Sequence, residues 1–260
     1  MSKITGKKIS STVNDWLHVD NSNSGVDGTI RSTYTGNGNQ TSMSISNGTV
    51  KVQPTSSDNT STFSVVKQDG TGLFNVDTTN SAVRGGASGM AYMNTQFTTF
   101  AVRDLSPVAG AHYPMSWIPY FHDSSSSAIT PQTLGTGSTP STTLTISSNA
   151  HDWIHCLFVP HASLNIESIK VLLSADASVS VKFFVTAYTI NNSGATAGDL
   201  SAGSAVYSSA THSVVANSVL QSSQSIDTDV ASGKAIVVSV ENESSTDDIS
   251  CVATLRWHLT

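Results

Sequence analysis

Charge is scarce in this chain. Asp, Glu, Lys and Arg together make up only 12% of its 260 residues, against roughly a quarter in an average globular protein. Glutamate occurs only at Glu167, Glu241 and Glu243, and Lys plus Arg number 12. These are the residues that ordinarily build the solvated face of a helix, so a mainly helical fold is not expected. No basic cluster exceeds Lys7-Lys8 and the net charge is -6, which leaves no basic footprint for nucleic acid. Cysteine occurs twice, at Cys156 and Cys251. No disulfide framework can be built from that, and the two are read as core thiols, with a pairing between them left open. No apolar run approaches the ~20 residues of a membrane-crossing helix, so no membrane insertion is expected. The opening Met-Ser-Lys-Ile-Thr-Gly-Lys-Lys has no apolar stretch behind its charges and does not read as a signal peptide. Synthesis in a cytoplasm without standard export is therefore expected. Triplets such as Asn39-Gln40-Thr41 and Asn59-Thr60-Ser61 are then products of composition rather than glycan acceptors.

Hydroxyls take the place of charge. Ser and Thr together are about 29% of the chain, while apolar residues are 38%. Thr, Val and Ser suit pleated strands, on which outward side chains alternate with inward ones. The expected class is all-β, with an N-terminal short-strand oligomeric segment followed by a C-terminal jelly-roll-like β-sandwich.

Residues 1–105 read as short strands and turns. Met43-Ser44-Ile45 and Thr49-Val50-Lys51-Val52 flank Asn47-Gly48, a strong hairpin signal. Phe63–Lys67 and Leu73–Asp77 flank a Gly-containing turn. An internal repeat aligns Leu17–Gly28 with Phe74–Gly85, so that Val-Asp, Asn-Ser, Val and Gly keep register. Each copy reads as a strand, a polar turn and a second strand. These strands carry too few large apolar residues for a core of their own, and small isolated sheets are marginal in water. Other copies of the same chain would supply the missing contacts, which predicts a homo-oligomer about an axis. Residues 106–141 form an apolar junction followed by a Ser/Gly/Pro linker. It carries Tyr113, Met115, Trp117, Tyr120 and Phe121, and Pro107, Pro114 and Pro119 exclude a long helix. Residues 142–260 read as one sandwich. Its expected strands are 142–147, 153–159, 166–173, 179–190, 205–209, 213–220, 235–241 and 249–259.

Few groupings point to chemistry. On an extended strand His151, Trp153 and His155 share a face, but two His four apart on a strand are too distant to chelate one ion within a chain. One His from each chain around an axis could hold a metal, which makes His151 and His155 weak metal candidates. Asp227 with Asp229, or Asp247 with Asp248, can be drawn as acid pairs for glycan hydrolysis, yet both are expected at turns, where Asp belongs anyway. The spacing of a loop calcium site is missing. So are a nucleophile elbow and a phosphate loop, since Gly85-Gly86-Ala87-Ser88-Gly89 lacks the following Lys. No catalytic residue and no cofactor is implied. Loops carry recognition on rigid β scaffolds, so Asn191, Asn192 and Asp199 in one polar loop and Asn242 and Asp247 in another are the candidate receptor contacts. Polar loops of this kind suit glycans.

Short strands with Gly/Asn/Asp turns lead into Asp69-Gly70-Thr71-Gly72, then Phe74-Asn75-Val76-Asp77, and Ala231–Asn242 reads as the penultimate strands of a sandwich. Together they resemble tail fibre and receptor-binding proteins of tailed bacteriophages. The resemblance covers most of the chain and is one of texture. It implies a homotrimer on the virion surface, tail or capsid, made in the host cytoplasm. The N-terminal segment would bind other virion proteins, and the tip would contact a host glycan or protein. A capsid decoration, head-fibre or head–tail connecting protein is the alternative, followed by a carbohydrate-binding module.

Overall fold

The computed structural model describes residues 16–22, 24–86, 91–117, 132–146, 153–192, 197–243 and 245–260. The chain divides into two compact units, Met1–Met93 and Asn94–Thr260.

The first unit holds two antiparallel meanders. One contains β1 (Leu17–Val19), β2 (Arg31–Thr35), β3 (Gln40–Ile45) and β4 (Val50–Val52). The other contains β5 (Phe63–Val66), β6 (Gly72–Asp77), β7 (Ala82–Gly85) and β8 (Ala91–Tyr92). Both expected hairpins form. Ile45 faces Val50 across Asn47-Gly48, and Val66 faces Gly72 around Gly70, whose φ of +86° needs glycine. The repeat is kept in one copy only. In the second, Phe74 pairs with Gly85 and Val76 with Val83. In the first, residues 26–28 join no strand, and β1 pairs instead with β2. Asp27 explains the difference. Its carboxylate accepts from the Thr29 amide at 2.8 Å, the Arg31 guanidinium at 3.1 Å and the Asn21 amide at 3.2 Å, which folds the segment into a side-chain-centred turn. The Arg31 and Thr29 bonds also hold its pKa below the ordinary value. Among the described residues of this unit only Thr33, Asp77 and Ala82 are buried.

The second unit is a sandwich of two antiparallel sheets. Strands β9 (Gln96–Leu105), β11 (Leu164–Ala175), β15 (Val219–Val230) and β17 (Ile249–Leu259) form the first, in the order β15-β11-β17-β9. Strands β10 (His112–Pro114), β12 (Val179–Ile190), β13 (Leu200–Ser208) and β16 (Lys234–Asn242) form the second, in the order β10-β16-β12-β13, with β14 (His212–Val214) also on β12. The pairs are nested: β9 with β17, β10 with β16, β11 with β15, β12 with β13. That is one long eight-stranded hairpin rolled over on itself, the jelly roll. The inner faces close on Phe100, Ile169, Leu173, Val181, Phe183, Val185, Val238, Val240, Cys251 and Leu255, all buried.

Several expected elements move. β9 and β10 belong to the sandwich, so the unit begins before the expected linker rather than after it. The expected strand 213–220 breaks after Val214, where Ser218 N–H bonds the Val215 carbonyl and Asn217 takes φ +56°. Beyond this turn the chain enters the long edge strand β15, which carries Asp227 and Asp229 inside a strand and not at a turn. The expected strand 153–159 starts as a 3-10 turn over Ile154–Cys156. Three residues per turn put Trp153 and Cys156 on one buried side and leave Ile154 exposed. The expected strand 142–147 reduces to a bridge between Leu144 and Leu200.

The second sheet is covered on its outer face as well. Leu134, Leu144, Ile146, Trp153 and Cys156, from the connection between β10 and β11, pack on Tyr188, Leu200 and Val237. Both cysteines are free and buried. Burial pushes the Cys156 thiol up to about 12 and that of Cys251 further. Tyr188 donates to the Ser141 carbonyl at 2.8 Å and leans over Gly203 of β13. A Cβ at Gly203 would lie 2.5 Å from Tyr188 Cε1 and 3.0 Å from Thr142 Cα.

His112 of β10 lies fully buried on this covered face, opposite Glu241 of β16. Its Nε2 is 3.0 Å from the Gly137 carbonyl. A carbonyl only accepts, so Nε2 carries a proton, and Nδ1 lies 4.0 Å from Glu241 Oε2. Burial, with Lys182 adding to it, holds His112 below its ordinary value. Burial raises Glu241, against the pull of Lys182.

This packing carries two testable consequences. Gly203→Ala should destabilise by about 1–3 kcal/mol through overpacking, read by calorimetry as a Tm lower by roughly 2–4 °C per kcal/mol; an unchanged Tm would refute the close approach. The lowered pKa of His112 means that the unfolded chain takes up the proton more readily. This stability term is full above pH 6.5 and declines as pH falls through that value. Glu241 acts in the opposite sense, losing stability as pH rises from 4.5 towards its folded pKa. The Tm of the parent relative to His112→Gln should therefore fall as pH is lowered from about 7 to 5, since the difference between the two profiles removes the Glu241 contribution they share. Parallel profiles would show that His112 does not titrate differently on folding.

Candidate functional site

The candidate loop residues fall at opposite ends of the sandwich. Asn191 and Asn192 follow the end of β12, and Asp199 precedes β13. Asn242 ends β16 abreast of Val181, near the start of β12. Ten residues of strand at about 3.3 Å each separate them by roughly 30 Å, so they cannot share one ligand of ordinary size.

At the first end the structure joins residues that lie far apart in the sequence. Asn191, Asn192 and Asp199 line a groove of about 530 Å³ together with Thr143, Leu144, Thr145, Thr189, Ile190, Leu200 and Ser201. Leu144 and Leu200 form its buried floor, while Thr143, Thr145, Thr189, Asn192 and Ser201 stand exposed around it. The walls are fixed from behind. Leu144 and Leu200 exchange backbone hydrogen bonds of 2.9 Å in both directions. Asp199 Oδ1 accepts from the Ile146 amide at 2.7 Å. Asn191 N–H donates to the Asp199 carbonyl at 2.8 Å, and Lys234 Nζ donates to Thr189 Oγ1 at 2.7 Å. The four hydroxyls on this rim carry no signal in the sequence. In a chain this rich in Ser and Thr no single hydroxyl stands out, and Thr143 and Thr145 come from the stretch expected to be the first strand after the linker.

The opposite end is built differently. Asn242 is fully buried, and its amide bonds Ser245 Oγ at 3.0 Å and the Asp247 carbonyl at 3.4 Å, shaping the loop from inside. Beside it Asp104, Asp176 and Asp248 line a small pocket of about 200 Å³ with Ser174, Asn217 and Ser250. Among the described residues no group of three or more His, Cys, Asp or Glu is placed to hold a metal ion.

The remaining sequence candidates are not brought together. His155 lies in the 3-10 turn, where its carbonyl accepts from the Trp117 amide at 2.9 Å, and His151 lies outside the described residues. Asp227 and Asp229 both accept from Asn165 Nδ2, at 3.2 and 2.9 Å. They share an amide on a solvent-side strand face and do not flank a cleft. The described residues assemble no catalytic constellation. What the geometry offers is binding, by hydroxyl, amide and carboxylate groups.

No protein-family model matches the chain, and no curated protein does. Among solved structures it is similar to particle structures of infectious bursal disease virus. The Gx strain matches at 10% identity and a TM-score of 0.26, over 67% of this chain and 35% of that one. The Gt strain matches at 9% identity and 0.26, over 67% and 36%. The T13 particle of the same virus matches at 10% identity and 0.20, over 67% and 42%. The chain spans about a third of the length of the first two. The overlap is loose, and it is the nested strand pairing that defines the jelly roll.

Proposed function

We propose that this chain is a non-catalytic structural protein of a virus-particle surface, a homo-oligomer held together through its N-terminal unit. The observation that carries the reading is the near-absence of buried residues among those described in that unit. Phe63, Val65 and Val66 of β5 are 45%, 45% and 53% exposed, and Leu17, Val50 and Met93 are more open still. Two four-stranded meanders without a covered face do not hold together by burial of their own apolar groups. Copies of the same chain around an axis supply matching surface at no cost in new sequence, and a trimer is the expected number. The jelly roll supports the virion reading because capsid and lectin domains are among its recurrent uses, though a fold by itself names no function. The Ser/Thr-rich, charge-poor surface and the strand–turn texture shared with phage fibre proteins support it further.

Within this reading a capsid decoration or head-fibre protein is favoured over an elongated tail fibre. A fibre shaft needs a structural repeat, and the sequence repeat folds as a hairpin in only one of its two copies. The N-terminal segment would then seat on other virion proteins, and the sandwich loops would meet the host surface, a glycan or a protein. Several copies per assembly would turn weak contacts into avidity.

Light scattering on the purified full chain should give three times the 27.2 kDa chain mass. Phe63→Lys combined with Val65→Lys should lower that mass to the monomer, with the sandwich still folded by circular dichroism. A parent protein that is already monomeric would overturn the reading.

A further inference from the structure

The groove between residues 189–192 and 199–201 on one side and residues 143–145 on the other is a site in its own right, and it does not depend on the oligomer reading. We infer that it binds a neutral carbohydrate.

Four properties of the lining select that chemistry. First, the exposed rim is made of neutral hydrogen-bonding groups, the hydroxyls of Thr143, Thr145, Thr189 and Ser201 and the amide of Asn192. Hydroxyls both donate and accept, and an amide offers two donors and an acceptor. Such a set matches a ligand whose own surface is mostly hydroxyl. Second, among the described residues the only ionisable one in the lining is Asp199. Its carboxylate accepts hydrogen bonds and repels anions, so phosphate, sulfate and acidic sugars are disfavoured. Lys234 is not part of the lining, and its ammonium donates to Thr189 Oγ1 at 2.7 Å. Third, the floor of Leu144, Ile190 and Leu200 is aliphatic, and it gives the C–H face of a sugar ring an apolar surface. Fourth, about 530 Å³ lies within the range of small-ligand sites. The exposed rim consists of hydrogen-bonding groups, which a lipid or an apolar drug-like molecule would leave unpaired, and the described lining carries no cation for nucleic acid.

The described lining is held in place by the protein's own hydrogen bonds. Its two walls are locked by the Leu144–Leu200 backbone pair, by Asp199 to Ile146 and by Asn191 to Asp199. Few groups need ordering when a ligand enters, which reduces the entropic penalty of binding. Affinity per site is expected to be weak, because neutral hydrogen bonds exchange for bonds to water at small net gain.

The test is the full chain on an array of immobilised neutral and acidic glycans, followed by titration calorimetry with the best neutral oligosaccharide. Thr145→Trp and Ser201→Trp fill the groove from exposed positions and should leave Tm unchanged. Binding of neutral glycans that drops tenfold or more in both variants, with acidic glycans bound no better, is the expected result. No glycan bound, a preference for acidic glycans, or affinity untouched by both tryptophans would each overturn the proposal. A carbohydrate-negative trimer would leave the oligomer reading standing, and a carbohydrate-binding monomer would leave this one.

Discussion

Strands β10, β16 and most of β12 are buried on both faces of their sheet, and most of the second unit depends on that constraint. An antiparallel sheet usually keeps one wet face and shows it as alternation. In β16 every residue from Ala235 to Asn242 is buried. Ile236, Val238 and Val240 go into the sandwich, and Val237 goes under the cover on the other side. Such a sheet folds only if some other part of the chain lies over its outer face. The connection between β10 and β11 does this with irregular backbone, contributing Leu134, Leu144, Ile146, Trp153 and Cys156. The cover then needs backbone partners of its own, and it takes them from the sheet through Leu144 with Leu200 and Phe158 with Ile236. The groove is a by-product of that arrangement, since one of its walls is cover and the other is residues 189–192 and 199–201.

The same constraint explains what was legible in the sequence. β12 and β17 were readable to the residue, because one is a long apolar run and the other alternates cleanly between Ile249 and Leu255. β16 alternates too, Val237, Ser239 and Glu241 with Ile236, Val238 and Val240, and the fold buries both sets. Periodicity reports which side chains share a face and cannot report whether a distant segment covers it. The cover itself was misread as linker and strand for the same reason. Its Gly, Ser and Pro content marks irregular backbone, which a linker and a packed cover share. β15 was lost because an edge strand with Ser, Gln and Asp on its open side looks like a loop.

The candidate site divides along similar lines. Asn191, Asn192 and Asp199 could be singled out because a polar loop between two long strands is visible in sequence, and they line one groove. The rim hydroxyls were not, since about 29% Ser and Thr erases the contrast that would mark them. Asn242 shows the reverse failure. It sits in an exposed-looking loop, yet its side chain faces inward and holds the turn together.

The two units differ in self-sufficiency, and the difference bears on how a charge-poor protein can bind anything firmly. Steering and strong ion pairing are closed to a surface with this little charge. Contacts made by hydroxyls and amides are individually weak, so useful affinity must come from number. Number comes from assembly, and assembly is what the exposed Phe63, Val65 and Val66 of the first unit call for. The jelly roll, by contrast, covers the inner faces of both sheets and the outer face of β10, β16 and most of β12 with its own chain. A lattice or trimer built on the first unit would therefore repeat the second unit's groove many times over, without asking the groove itself to bind tightly.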